Sequence, residues 1–177
     1  FITAGHVVDN QTNIAIYYKR KKLLLNKDNC IFLSSLNEKT WNTLGNDIAI
    51  YKFDSVTSPI EFYQDKVNIN DVFNSVSYKV SVKKQDEEIN IFSSDNRECI
   101  DLIKCEGRVV DLKDNFIVCK MSYPLRPGSS GSPLLLNNKL VGILSGGVEF
   151  TDICVFQNIE SIIKLIEKTL RCYRRVF

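Results

Sequence analysis

Histidine is almost missing from this chain: His6 is the only one in 177 residues. That argues against a zinc site, and no CxxC or Cys/His spacing offers another metal-binding pattern. No motif calls for a metal or any other cofactor. Long apolar runs are also lacking. None approaches the ~18 residues that a membrane-crossing helix needs, and the start carries no signal-peptide pattern. Nor is there an excess of one charge. The 23 Lys and Arg against 21 Asp and Glu leave a formal charge of +2, which gives no electrostatic footprint for nucleic acid. The basic clusters Lys19-Arg20-Lys21-Lys22 and Arg171, Arg174 and Arg175 read as a solvated hairpin turn and a helix end. No internal repeat or low-complexity segment is present.

Six cysteines are there: Cys30, Cys99, Cys105, Cys119, Cys154 and Cys172. An even count is weak evidence for disulfides in a chain long enough to bury a core. Cys119 and Cys154 lie in apolar, strand-like runs, where a free thiol behaves as a small hydrophobe. The reading is reduced thiols in a reducing, intracellular compartment. The chain opens without an initiator Met on "FITAGHVV", which already reads as a strand and points to a piece of something longer.

Short β-rich segments recur along the chain. "NIAIYY" and "KLLL" flank the basic turn, and "CIFL" and the alternating "DIAIYKF" follow. A second set comprises "DVFNSVSYKVSV", "EINIF", "CIDLIKCEGRVVDL", "FIVCKM", "PLLL", "KLVGIL" and "ICVFQ". Turn signals at Lys113-Asp114-Asn115 and Asn137-Asn138 space them as in an all-β barrel or sandwich. Only the C-terminus is helical in pattern, with Ile159, Ile162, Ile163, Ile166 and Leu170 at helical spacing and Asn158 as cap. The expected organisation is a first β lobe over 1–58, a crossover over 59–70, a second β lobe over 71–157 and a helix over 158–173.

The segment "SYPLRPGSSGSPLLL" runs from residue 122 to 136. A glycine–serine linker would be polar on both sides. This one stands between the apolar runs Phe116–Cys119 and Pro133–Leu136, so it is a loop inside one domain. A serine nucleophile needs a base beside it, and backbone N–H donors for the charge that develops on the attacked carbonyl. Ser130 has Gly128 two residues before it and Gly131 directly after it, which allow a tight turn and close approach of a substrate backbone. The candidate oxyanion hole is Gly128, Ser129 and Ser130, with the Gly128 and Ser130 amides as donors. Ser129 and Ser132 lack glycines at both offsets. Position 132 is Ser, so this is not a Gly-x-Ser-x-Gly elbow.

His6 is the only available imidazole base, at a strand end among the small residues of "TAGH". Asp47 in "GNDIAIYKF" directly precedes a strongly apolar strand that can bury it beside His6. Asp9, Asp54 and Asp71 remain competitors, with solvated loop positions as their default reading.

"TAGHVV", "NDIAI" and "RPGSSGSPLL", in this order, resemble the His, Asp and Ser motifs of the chymotrypsin-fold serine proteases, which show patterns such as "TAAH", "DIAL" and "GDSGGP". The resemblance runs from residue 1 to the C-terminal helix. It implies an all-β fold of two packed antiparallel barrel lobes with a C-terminal α-helix. It also implies an endopeptidase with His6, Asp47 and Ser130 as the catalytic triad and a polypeptide as substrate. Val7 follows the His where secreted relatives carry Cys, and Ser129 stands where they carry Asp. These departures bring the motifs closer to HtrA/Deg-like and viral polyprotein-processing proteases.

Family members have about two strands ahead of the His motif, so the first barrel is expected to lack strands that an N-terminal segment or second chain would complete. A binding module on the same fold is the alternative reading. The resemblance places the specificity pocket among Pro124, Leu125, the Ser145-Gly146-Gly147 edge and Asp152. No pocket His and no trypsin-like Asp is available, which leaves small or apolar side chains as the expected preference. Asp152 is either a contact for a basic side chain or a solvated turn residue.

Overall fold

A computed structural model describes residues 1–9, 11, 13–18, 21–34, 46–52, 59–79, 101–125, 128–148 and 150–173. Asp54, Cys99, the "EINIF" segment, Lys19-Arg20, Arg126-Pro127, Arg174 and Arg175 lie outside the described residues.

The architecture is all-β with one long helix at the C-terminus. Six strands close into an antiparallel barrel, in the spatial order β10-β11-β8-β7-β6-β9. They are β6 (Val72–Lys79), β7 (Asp101–Lys113), β8 (Phe116–Met121), β9 (Pro133–Leu136), β10 (Lys139–Gly147) and β11 (Ile153–Asn158). Alternating apolar positions fill its interior with Phe73, Val109, Ile117, Cys119, Leu134, Val141, Cys154 and Phe156, all buried. Both expected turns are present. Asp114-Asn115 joins β7 to β8, and Asn137-Asn138 joins β9 to β10 with φ of 49° and 63°, the paired left-handed geometry of a tight hairpin.

The first lobe is built differently. β1 (Ile2–Thr3), β5 (Ile48–Tyr51) and β4 (Cys30–Ser34) form a three-stranded sheet in the order β1-β5-β4. β2 (Asn13–Tyr18) and β3 (Lys21–Asn26) form a separate hairpin. The six-stranded barrel is the one closed sheet among the described residues. The "FITAGHVV" segment departs from its reading as a continuous strand. Only Ile2 and Thr3 are extended, and Gly5–Val8 form a single helical turn, α1. The turn opens on Gly5, which is wedged against neighbouring backbone. A Cβ built there would lie 1.9 Å from the Ser34 carbonyl oxygen and 2.9 Å from the Ile48 nitrogen. Both obstacles are main chain, so no side-chain rotation relieves them. Gly5→Ala is expected to destabilise the fold by about 3 kcal/mol. A thermal melt would read this as a fall of roughly 6–12 °C; an unchanged melting point would contradict the close packing.

The helix α2 (Ile159–Tyr173) begins as expected. Asn158 Oδ1 accepts the Glu160 N–H at 2.9 Å, which satisfies one of the free donors of the first turn. Its apolar stripe joins the lobes: Ile159 and Ile162 pack with Ile48 and Ile50 of β5 and with Leu140 and Ile143 of β10. The segment 59–70 runs along the barrel. Leu140 accepts the Tyr63 N–H at 2.9 Å and donates its own N–H to the Glu61 carbonyl at 2.8 Å, beside the Phe62–Leu140 bridge. The Val109 carbonyl accepts the Asn70 N–H at 2.9 Å.

Candidate active site

Strand register brings the histidine to the aspartate. β1 and β5 pair Ile2 with Ile50 and Thr3 with Ala49, and the same antiparallel count, continued past the strand, sets Gly5 opposite Asp47. The turn α1 then lifts His6 over the carboxylate. Asp47 is fully buried. Its Oδ1 accepts the His6 backbone N–H at 2.9 Å, and its Oδ2 stands 2.8 Å from His6 Nδ1. An ionised carboxylate only accepts, so His6 Nδ1 carries the proton and Nε2 is left as an acceptor. That nitrogen lies 2.9 Å from Ser130 Oγ. The three candidates, 124 residues apart at their extremes, therefore form one hydrogen-bonded line. The bond to Asp47 raises the His6 pKa, with its negative charge adding to the effect and partial burial opposing it. Among the competitors, Asp71 instead accepts the Asn68 N–H at a turn of the crossover, and Asp9 ends α1.

The serine sits on a tight turn. The Ser129 carbonyl accepts the Ser132 N–H at 3.0 Å, with Ser130 and Gly131 at the two central positions. Gly131 has φ of 89°, the positive angle that the second central residue of a type II turn requires. The same glycine seats the loop against the first lobe, since a Cβ there would lie 2.5 Å from Thr3 Oγ1. The Gly131 N–H is spent on the Leu144 carbonyl and the Leu144 N–H on the Ser132 carbonyl, both at 2.8 Å. Among the described residues, no partner takes the N–H of Gly128 or Ser130. Gly128 itself has φ of 94°. Unpaired amides of this kind are what stabilisation of a developing oxyanion requires.

The pocket candidates divide. Leu144 ties β10 to the serine loop, so Ser145, Gly146 and Gly147 continue from its edge. Ser145 is the extra residue of a bulge between Leu144 and Gly146. Its Oγ is buried and has no hydrogen-bond partner among the described residues. A buried hydroxyl left unpaired next to the serine loop is an exception to the usual satisfaction of buried polar atoms. Pro124 is half-buried, and Leu125 packs against the barrel core. Asp152 is only partly exposed, and its carboxylate lies 3.8 Å from Lys120 Nζ at the surface.

One participant has no counterpart in the sequence reading. Gln157 of β11 is fully buried, and its Oε1 accepts the Asp47 backbone N–H at 3.0 Å. The available signal was an amide side chain at the end of the otherwise apolar run "ICVFQ". Cys154 borders the pocket candidates: its thiol is within hydrogen-bond reach of the Leu125 backbone and 3.6 Å from where a Cβ on Gly147 would lie. Cys105, Cys119 and Cys154 are buried free thiols in the barrel. Burial pushes the Cys119 thiol up to about 12, with neighbouring Cys154 adding to the rise, so these sulfurs are poor nucleophiles and poor metal ligands. No cluster of His, Cys, Asp and Glu suited to a metal ion occurs among the described residues. No helix among them is long and apolar enough to cross a membrane.

Comparison with known proteins follows the same lines. A profile of the trypsin family matches residues 1–166. No curated protein sequence matches. Several solved structures share the fold. Neuropsin, a serine protease expressed in the limbic system of mouse brain, superposes with a TM-score of 0.66 at 14% identity, over 96% of this chain and 83% of that one. A scabies mite inactivated protease paralogue, S-D1, gives 0.65 at 17% identity, over 96% and 82%. The serine endoprotease from Yersinia pestis gives 0.63 at 18% identity, over 96% of this chain, which spans about half of that one (53%).

Proposed function

This chain belongs to the trypsin family, and on that premise we propose that it is a serine endopeptidase acting through an acyl-enzyme, with His6, Asp47 and Ser130 as its triad. The observation that carries the reading is the unbroken line from Ser130 Oγ to His6 Nε2 (2.9 Å) and from His6 Nδ1 to Asp47 Oδ2 (2.8 Å). Ser130 Oγ attacks the peptide carbonyl carbon as its proton passes to His6 Nε2. Asp47 holds the Nδ1–H tautomer and stabilises the imidazolium that forms. The carbonyl oxygen takes up negative charge and is met by the Gly128 and Ser130 amides, with Ser129 setting the turn between them. The proton on His6 then goes to the leaving amine. A water, deprotonated by the same nitrogen, releases the acyl group.

The lobes divide the labour: the first, residues 1–58, holds the base and its carboxylate, and the second, 71–157, presents the nucleophile, with 59–70 between them. For the pocket, Pro124, Leu125, Ser145, Gly146 and Gly147 offer small and apolar surface. Asp152, with Lys120 Nζ 3.8 Å away at the surface, is read as a solvated turn residue. A small or apolar residue before the cleaved bond is the expected preference, and a mixed peptide library read by mass spectrometry checks it.

The test of the activity is labelling with a fluorophosphonate probe, read by intact mass and peptide mapping. A single adduct on Ser130 is expected, and a folded sample that takes no label would favour the binding-module reading. That second reading draws on an inactivated protease paralogue sharing this fold. The formed Ser130–His6–Asp47 line weighs against it.

The pH dependence has a definite sign. His6 must be neutral to accept the proton, and Asp47 raises its pKa. The labelling rate should therefore climb with pH through a midpoint above the ordinary imidazole value of about 6.5. A rate profile from pH 5 to 9 reads it, and a midpoint below that value would contradict the pairing.

A further inference from the structure

The site's aspartate is held from behind by the other lobe. We propose that Gln157 is a positioning residue for the reaction: its side-chain amide fixes the Asp47 main chain, and with it the carboxylate, in register with His6. The inference rests on the triad reading above.

Each polar atom of Gln157 has a defined task. Oε1 accepts the Asp47 N–H at 3.0 Å. Nε2 donates one proton to Asn46 Oδ1 at 3.1 Å and the other to Ser161 Oγ at 2.6 Å. The Ser161 hydroxyl passes its own proton to the Asn158 carbonyl at 2.7 Å, so it can only accept from Gln157. That sequence of donors fixes which way the amide faces, with its oxygen toward Asp47. On the far side, the Asn46 carbonyl accepts the Ser34 hydroxyl at 2.9 Å. Asn46 and Asp47 are thereby clamped between β4 of the first lobe and the β11–α2 junction of the second.

Gln157 touches neither His6 nor Ser130. Its effect runs through Asp47, whose carboxylate stands 2.8 Å from a half-exposed imidazole and is tied to the first lobe by the His6 backbone N–H. Gln157 supplies the matching hold from the barrel side. A buried amide with every bond made is rigid, and partial loss leaves the remaining groups unsatisfied. Ser161 on the first turn of α2 completes the chain, so helix docking and site geometry are coupled through one side chain.

Because His6 is the only histidine, its ring protons give an unambiguous NMR titration that needs no catalysis. Among the described groups, Asp47 is the one whose charge acts on that ring. The experiment titrates His6 in the wild type, Gln157→Met, Gln157→Asn and Asp47→Asn, and measures the rate of Ser130 labelling in each. Gln157→Met keeps the length and fills the buried slot. Gln157→Asn keeps the polarity but falls one methylene short, which guards against a failure of the first variant to fold.

Both Gln157 variants should lower the His6 midpoint toward the Asp47→Asn value, by about half a pH unit or more, and slow labelling by about 10²-fold. A midpoint unmoved from wild type in the folded Gln157 variants overturns the proposal, even if labelling slows, since general loosening would do that. If wild-type Ser130 takes no label, the endopeptidase reading falls, and the titration still decides what Gln157 does to Asp47 and His6. If Asp47→Asn leaves the midpoint in place, His6 is not paired and both readings fall together.

Discussion

Alanine at Ser130 is expected to lower turnover by about a millionfold, alanine at His6 to do the same, and the double variant to lose no more than either alone. The reason is that Ser130 Oγ and His6 Nε2, 2.9 Å apart, perform a single act in the proposed mechanism. Without the imidazole, the hydroxyl keeps its proton and is a poor nucleophile. Without the hydroxyl, the imidazole has no proton to take. A millionfold corresponds to about 8 kcal/mol of barrier, far more than a surface hydrogen bond contributes. What survives in each variant is the loop with its two free amides, and a residual rate of 10³–10⁴ over water is expected from it. The variants differ in stability. Ser130→Ala leaves Asp47 paired, whereas His6→Ala leaves a fully buried carboxylate without its main partner, so only the second should lower the melting point. Steady-state kinetics on one peptide substrate, beside thermal melts, separate these effects. Modest losses that simply add would sink the triad assignment.

The parts legible in the sequence are those written in neighbouring residues. Apolar alternation marks the barrel strands, and "FIVCKM", "PLLL" and "KLVGIL" appear as β8, β9 and β10. The Asn137-Asn138 turn and the α2 cap are likewise local chemistry. Ser130 stood out by its flanking glycines and His6 by being alone. Asp47 was favoured by the apolar strand that directly follows it, with Asp9, Asp54 and Asp71 left as competitors read by default as solvated. What separates it is burial and the β1–β5 register, which only the fold supplies. The turn α1 escaped notice because four residues are too few to show a helical period, and because the backbone that packs on Gly5, at Ser34 and Ile48, lies far along the chain. Gln157 escaped for a related reason. Its partner Asp47 is 110 residues away, and an amide at a strand end reads as solvated until both lobes are assembled around it. The first lobe also shows less than a barrel, because its described strands divide into a three-stranded sheet and a separate hairpin.

Asparagine at Asp47 should cost about 10⁴-fold in kcat while the fold and the Ser130 loop stay in place. The argument is one of donors and acceptors. In the native site, Asp47 Oδ1 takes the His6 backbone N–H and Oδ2 takes the ring Nδ1–H. An asparagine has one acceptor and one NH₂ donor, so it can satisfy only one of these bonds as they stand. The backbone N–H cannot change its role, and it therefore claims the amide oxygen. The NH₂ group is then left facing His6 Nδ1, which can accept it only by giving up its proton to Nε2. A protonated Nε2 at 2.9 Å from Ser130 Oγ donates to the serine instead of accepting from it, and the base is lost with every atom in position. The rate profile should change in kind as well as height. The negative charge that raises the His6 pKa is gone, so the residual activity should lose its inflection near neutrality and rise into alkaline pH. A pH–rate curve for Asp47→Asn, with the His6 ring titrated by NMR in the same samples, measures both effects. A variant that kept wild-type kcat would show that the carboxylate only props the ring, and the tautomer argument would fall with it.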